Sequence, residues 1–207
     1  MPESPTKNGQ NDAEPAHARE RLLQGLGKAT TGRLRGLGPA PSWNPPDCGD
    51  IDMRIAADGT WFYCGSPIGR LPLVQLFASV LRKETDRYVL ITPVEKVGIK
   101  VDDAPFLAIE MGIEDEGSER RLIFRTNVED LVTVDSEHVL RFERGAAEGL
   151  KPYVRVRGEL WALLKRALLY DLVALGQTEH IANQDWFGVR SCGVFFPMCP
   201  TSEIEGL

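Results

Sequence analysis

The sequence predicts an α+β fold in which a small hairpin-plus-helix subdomain packs on a larger antiparallel barrel closed by a C-terminal helix. Three observations predict it. Asp58-Gly59 separates two short apolar runs, and the pair suits a tight hairpin because both residues tolerate left-handed backbone. Leu73, Leu76, Phe77, Val80 and Leu81 recur at helical spacing and make one buried stripe. From Tyr88 onward the apolar residues alternate, as half-buried strands require.

Residues 1–15 are rich in Pro, Ser, Asn and Glu and bury too little apolar surface to order themselves. Leu22, Leu23 and Leu26 can share a face of a short helix begun near Ala16, before closely spaced glycines dissolve the pattern. Residues 1–41 therefore read as tail and linker. The N-terminal subdomain is expected over 42–86. It takes strands at Ile51–Ala56 and Thr60–Cys64 and a helix from about Pro72 to Lys83, with Pro72 in the first turn, where its missing N–H costs little.

The C-terminal subdomain is expected over 87–200. Val97, Ile99 and Val101 share one strand face, and Asp102–Pro105 turns the chain into a strand at Phe106–Ile113. More strands follow at Arg121–Thr126, Leu131–Val134, Val139–Arg144 and Pro152–Arg157. Trp161, Leu164, Leu168, Leu172 and Leu175 then form a stripe that predicts a long helix over Gly158–Leu175. About seven strands followed by one helix is the element order of a pleckstrin-homology-like barrel. Val189–Met198 reads as a lone strand needing a sheet edge.

Composition bounds the function. The 207 residues are 43% hydrophobic, enough for a core, and no apolar run approaches bilayer length. Without a hydrophobic signal region the chain is expected in the cytoplasm, with its four cysteines reduced. The net charge of −6 divides into +2 for residues 1–41, six cations against four acids, and −8 for the rest. An acidic body argues against non-specific nucleic-acid binding.

The blocks Ile51–Ile55, Asp58–Tyr63, Ser66–Arg70, Leu76-Phe77, Thr92–Lys96, Asp103–Phe106, Phe124–Asn127, Pro152-Tyr153 and Phe195–Pro197 resemble a bacterial family known as domain of unknown function 1285. The likeness spans about Trp43–Met198. It implies two related α/β subdomains, the second similar to a pleckstrin-homology domain. It also implies a cleft between them for a small, nucleotide-like ligand, and a role in signal transduction without any established activity.

Candidate ligand contacts lie where elements end, the usual place for sites in soluble domains. Ser66–Arg70 precedes a helix, whose N-terminus favours an anion, and Arg70 adds a guanidinium. Thr92 and Lys96 flank a Pro93 turn, while Arg125, Thr126 and Asn127 offer a planar cation, a hydroxyl and an amide. Arg54 points away from apolar Met53 and Ile55, and Trp61 can stack on a ligand or wall the cleft. For each, a structural role as cap, turn or ion pair competes.

The leading reading is a non-catalytic module binding a small anion, with no cofactor and no metal. A second is a protein-interaction module using the barrel edge or a Tyr153, Arg155 and Arg157 face. A third is a hydrolase with His138 as base, for which no nucleophile is evident. Adjacent Asp102 and Asp103 diverge on an extended chain and make no carboxylate dyad. Cys192 and Cys199 lack zinc spacing, and the four thiols read as buried and inert.

Overall fold

The computed structural model describes residues 43–116, 119–145 and 149–204, so the expected tail and linker lie outside the described residues. The architecture is α+β and mostly β, with curled sheets forming a half-barrel and three short helices among the described residues.

The first hairpin forms as expected. β1 (Asp47–Ile55) pairs antiparallel with β2 (Trp61–Tyr63), Ile55 opposite Trp61 and Met53 opposite Tyr63. At the turn, Asp58 Oδ1 accepts the Thr60 amide at 2.9 Å and Gly59 takes φ +81°, a conformation glycine adopts without strain. The short β3 (Ser66–Pro67) lies at the sheet edge, where a proline's missing donor is harmless.

α1 (Leu71–Ser79) starts where the stripe predicts but ends one turn early. Leu81–Lys83, expected in its last turn, instead belongs to β4 (Leu81–Glu84), which pairs with β5 (Arg87–Ile91). Either geometry buries Leu81, which is 1% exposed, and β5 supplies an antiparallel partner whose ladder takes over the backbone hydrogen bonds a further helical turn would have made. β6 (Lys96–Val101) then lies between β5 and β1, parallel to β1. The first sheet runs β3-β2-β1-β6-β5-β4. The chain therefore leaves it at the Asp102–Pro105 turn, and a boundary at 86/87 would split the β4–β5 hairpin.

The second sheet contains β7 (Phe106–Glu116), β8 (Glu119–Thr126), β9 (Leu131–Thr133), β10 (Leu140–Arg144), β11 (Leu150–Arg157) and β12 (Leu160–Leu164). Its order is β10-β11-β12-β7-β8-β9. Numbered within each subdomain, both sheets read 3-2-1-6-5-4, with the first and last strands paired in parallel. The expectation of a wholly antiparallel barrel is corrected by the β7–β12 pair.

The long closing helix is also corrected. Leu160–Leu164 is a central strand, and α2 spans only Arg166–Ala174. Leu160-Trp161-Ala162-Leu163-Leu164 is apolar on both faces, which suits a strand covered on both sides as well as it suits a helix. Leu160, Ala162 and Leu164 join the main core, while Trp161 and Leu163 pack outward with Ala104 and Tyr153.

After α2, β13 (Gln177–Ile181), β14 (Gln184–Ser191) and β15 (Val194–Pro200) make a three-stranded sheet, followed by α3 (Thr201–Ile204). The lone strand expected over Val189–Met198 is thus a hairpin. It turns at Cys192-Gly193, both with positive φ. Val189, Phe196 and Met198 enter the same hydrophobic cluster as Ile55, Phe77, Phe106 and Phe124. Buried Ser191 fastens this sheet to the second one, donating to the Val134 carbonyl at 2.6 Å and accepting the Leu122 amide at 2.9 Å.

Candidate functional site

A cavity of about 250 Å³ opens between the first hairpin and α1. Ile51 and Met53 reach it from one face of β1, two residues apart as strand geometry dictates. Leu73 and Phe77 reach it from α1, four residues apart on one helix face. Trp61 backs this wall, its ring stacked on Phe77 with centroids 6.2 Å apart, and its buried Nε1 has no hydrogen-bond acceptor among the described residues. Tyr63 and the Ser66–Arg70 loop, with Ser66 and Arg70 exposed, complete the lining.

Arg70 is the N-cap of α1. Its extended backbone lets its carbonyl accept the Leu73 and Val74 amides at 3.0 and 3.1 Å. Among the described residues no side chain caps this helix end, and its first turn holds no acidic residue. Among the described residues the Arg70 guanidinium makes no hydrogen bond or ion pair.

The other expected cations are engaged. Arg54 Nη1 pairs with Asp102 Oδ2 at 2.6 Å and its guanidinium lies 4.8 Å from the Phe62 ring centroid. Lys96 donates to Glu84 at 2.9 Å, and Arg82 pairs with the same carboxylate. Hydrogen bonds from Lys96 and Arg82 hold the Glu84 carboxyl below its usual range. Arg125 is shared between Glu110 and Glu129, which keeps the Glu110 carboxyl low.

The polar candidates close turns. Thr92 is fully buried and its Oγ1 lies within hydrogen-bond distance of the Val94 and Glu95 amides and the Glu95 carbonyl. Thr126 Oγ1 accepts the Val128 and Asp130 amides. Asn127 joins the two sheets, accepting the Leu107 amide and donating to the Gly59 carbonyl. Of the nine expected contacts, the cavity gathers Ser66 and Arg70, with Trp61 behind its wall; Arg54, Thr92, Lys96, Arg125, Thr126 and Asn127 lie elsewhere. Spacing did not disclose this for Arg54 and Lys96, whose partner acids stand 48 and 12 residues away; Arg125 has one partner 15 residues away and another, Glu129, only four away.

Sequence reasoning took Leu73 and Phe77 as a buried helix stripe and Ile51 and Met53 only as residues of the first hairpin; the available signal was that an arginine stands just before that stripe. The Tyr153, Arg155 and Arg157 face is also revised. A register shift between Arg155 and Arg157 re-aims Arg157 to Asp130, to the Ala78 carbonyl at 2.6 Å and over the Phe106 ring. Arg155 instead stays beside Trp161, whose ring centroid lies 5.3 Å away, with Arg141 at 4.3 Å.

Asp102 and Asp103 serve different partners: Arg54 for the first, Lys151 and Tyr153 for the second. His138 Nδ1 lies 3.1 Å from Asp135 Oδ1, the oxygen that also accepts the Glu137 and His138 amides. Cys48 and Cys64 are exposed and Cys192 and Cys199 half-buried, which corrects the expectation of buried thiols. Cys64 and Cys192 occupy hairpin turns at φ +48°, which carry them out of the core. Among the described residues no group of His, Cys, Asp or Glu has a metal-binding arrangement, and no helix is long and apolar enough to cross a membrane.

The model of the N-terminal domain of DUF1285, a domain of unknown function, matches residues 38–104, and that of the DUF1285 C-terminal domain matches 105–198. Their junction falls at the turn where the chain leaves the first sheet. The crystal structure of a DUF1285 family protein from Silicibacter pomeroyi DSS-3 is 45% identical, with a TM-score of 0.77 over 87% of this chain and 97% of that one. One from Shewanella baltica OS155 is 30% identical over 58% of this chain and 89% of that one, with a TM-score of 0.47. No curated protein matches.

Proposed function

The chain belongs to the DUF1285 family, and we propose that it is a non-catalytic module binding a small anion at Arg70. The observation that carries this reading is a guanidinium with no partner among the described residues, on the lining of a largely apolar cavity, where the other expected cations already have carboxylate partners. A cation in such surroundings has more to gain from an anion than one already neutralised. The site then lies within the first subdomain rather than between the two. As part of the same proposal, the module works in the cytoplasm in signal transduction, and its second subdomain is the pleckstrin-homology-like half.

Thermal-shift screening of the full chain against nucleotides, second messengers and simple organic anions tests the reading. A ligand of the native state must raise the melting temperature, and Arg70→Met must abolish the rise without lowering the unliganded value. No shift with any anion rejects the proposal.

A second reading, a protein-interaction surface on the outer face of the second sheet, draws support from Arg141 and Arg155 flanking Trp161. Pull-down from a cell extract distinguishes the two. Capture lost on charge reversal at Arg155 but kept on reversal at Arg70 favours the interaction surface.

A further inference from the structure

Building on the anion-binding reading of Arg70, we propose that the ligand is an amphiphilic monoanion, a carboxylate with an apolar body, rather than a nucleotide. The argument starts from what the cavity lacks. A nucleoside presents a base edge and a sugar, each with several donors and acceptors that lose their water on binding and need replacements. Ile51, Met53, Ile68, Leu73 and Phe77 supply none, and the polar side chains on the lining are Tyr63, Ser66 and Arg70, too few for both a base edge and a sugar. A diphosphate or triphosphate also calls for more than one cation, and among the described residues Arg70 is the sole basic residue lining this cavity.

What the cavity offers is a hydrophobic trough with one charged end. Met53 and Phe77 are 3% and 2% exposed, so the inner wall is held by the core and is already shaped. Stacking on Trp61 fixes the Phe77 ring. A planar carboxylate matches the guanidinium fork, and Ser66 stands on the same lining with a hydroxyl donor.

Size narrows the class. A dry cavity of roughly 150 Å³ accommodates benzene, so about 250 Å³ takes a single ring or a short acyl chain together with its head group. Each methylene buried against these walls adds affinity until the trough is full. The occupant is thus a free short-chain or aryl carboxylate, and neither a long lipid nor a folded peptide segment fits in full.

Isothermal titration of the full chain with butyrate, hexanoate, octanoate, dodecanoate and phenylacetate tests this, with octanol, octylamine and adenosine mono- and diphosphate as controls. Affinity should rise from butyrate to octanoate and stop rising at dodecanoate, while octanol and octylamine bind at least about tenfold more weakly than octanoate. Arg70→Met should weaken octanoate by about tenfold or more, and Leu73→Trp, which fills the trough, should weaken octanoate but leave binding of acetate unchanged. Binding that ignores chain length, that survives Arg70→Met, or that continues to strengthen through dodecanoate overturns the inference. Nucleotides that bind through Arg70 while the carboxylates do not would overturn it and leave the anion-binding reading standing. Failure of every anion would remove both.

Discussion

Asn127 and Gly59 meet across the two sheets, the asparagine Nδ2 donating to the glycine carbonyl at 3.2 Å while its Oδ1 accepts the Leu107 amide at 3.0 Å. One side chain thus satisfies backbone groups from the first hairpin and from the start of β7. Asn127→Ala should destabilise the fold by about 1–3 kcal/mol, because two half-buried backbone groups lose their partner. Gly59→Ala should cost more than the roughly 1 kcal/mol of a left-handed alanine. Its Cβ would sit 2.6 Å from Asn127 Nδ2. Urea unfolding of both variants and their double mutant measures the coupling, which should be non-additive.

Arg157 is a second junction. Its guanidinium serves Asp130, the Ala78 carbonyl at the end of α1 and the Phe106 ring, and its side chain is 13% exposed. Arg157→Ala should lose about 3–5 kcal/mol, since Asp130 is left as a partly buried charge without its partner. Arg157→Lys should recover only part of this, having a point charge where two acceptors lie apart. Chemical denaturation gives both values.

Glu84 makes a pH-dependent contribution. Its carboxyl is held below the ordinary 4.5, first by the Lys96 hydrogen bond and then by Arg82. A carboxyl lowered on folding stabilises the native state above its unfolded value, and that contribution disappears as pH falls through the folded value. Glu84→Gln should therefore lower stability by about 1 kcal/mol at pH 7. The gap between variant and wild type should begin to narrow as pH falls through the unfolded value and close as it falls through the lower folded value, where both states have taken up the proton. Melting temperatures measured from pH 7 to pH 3 follow it.

Ser191 connects the third sheet to the second through the Leu122 amide and the Val134 carbonyl. Ser191→Ala should cost about 1–3 kcal/mol, leaving both backbone groups buried and unpaired. Hydrogen exchange should accelerate first at the amides of Leu122 and of β14, before the first sheet is affected.

Much of this architecture was legible. Asp58-Gly59 marked the hairpin because few residue pairs accept that turn, and the Leu73–Phe77 stripe marked α1. Leu81 and Leu160–Leu164 were misread for one shared reason. A short apolar run satisfies both helical and strand periods, and only the neighbouring strand decides between them. At the candidate site, Arg70 stood out because its loop leads straight into a helix. The neutralisation of Arg54 by Asp102 was not legible, since ion pairing over such a separation exists only once the sheet has formed. The apolar trough escaped notice because a residue lining a cavity and one filling a core have the same sequence signature.

The shared 3-2-1-6-5-4 order has a kinetic consequence. Each sheet is joined in its middle by strands from opposite ends of its subdomain, Asp47 beside Lys96 and Phe106 beside Ala162. Hairpins can assemble early from local contacts, but neither half is complete until its whole length has been made and brought back on itself. Such topologies fold in the slow range, about milliseconds to seconds. During synthesis β1 can pair with β2 on one side, but its other edge has no partner until Lys96–Val101 has left the ribosome, so that central edge waits uncovered for most of that interval.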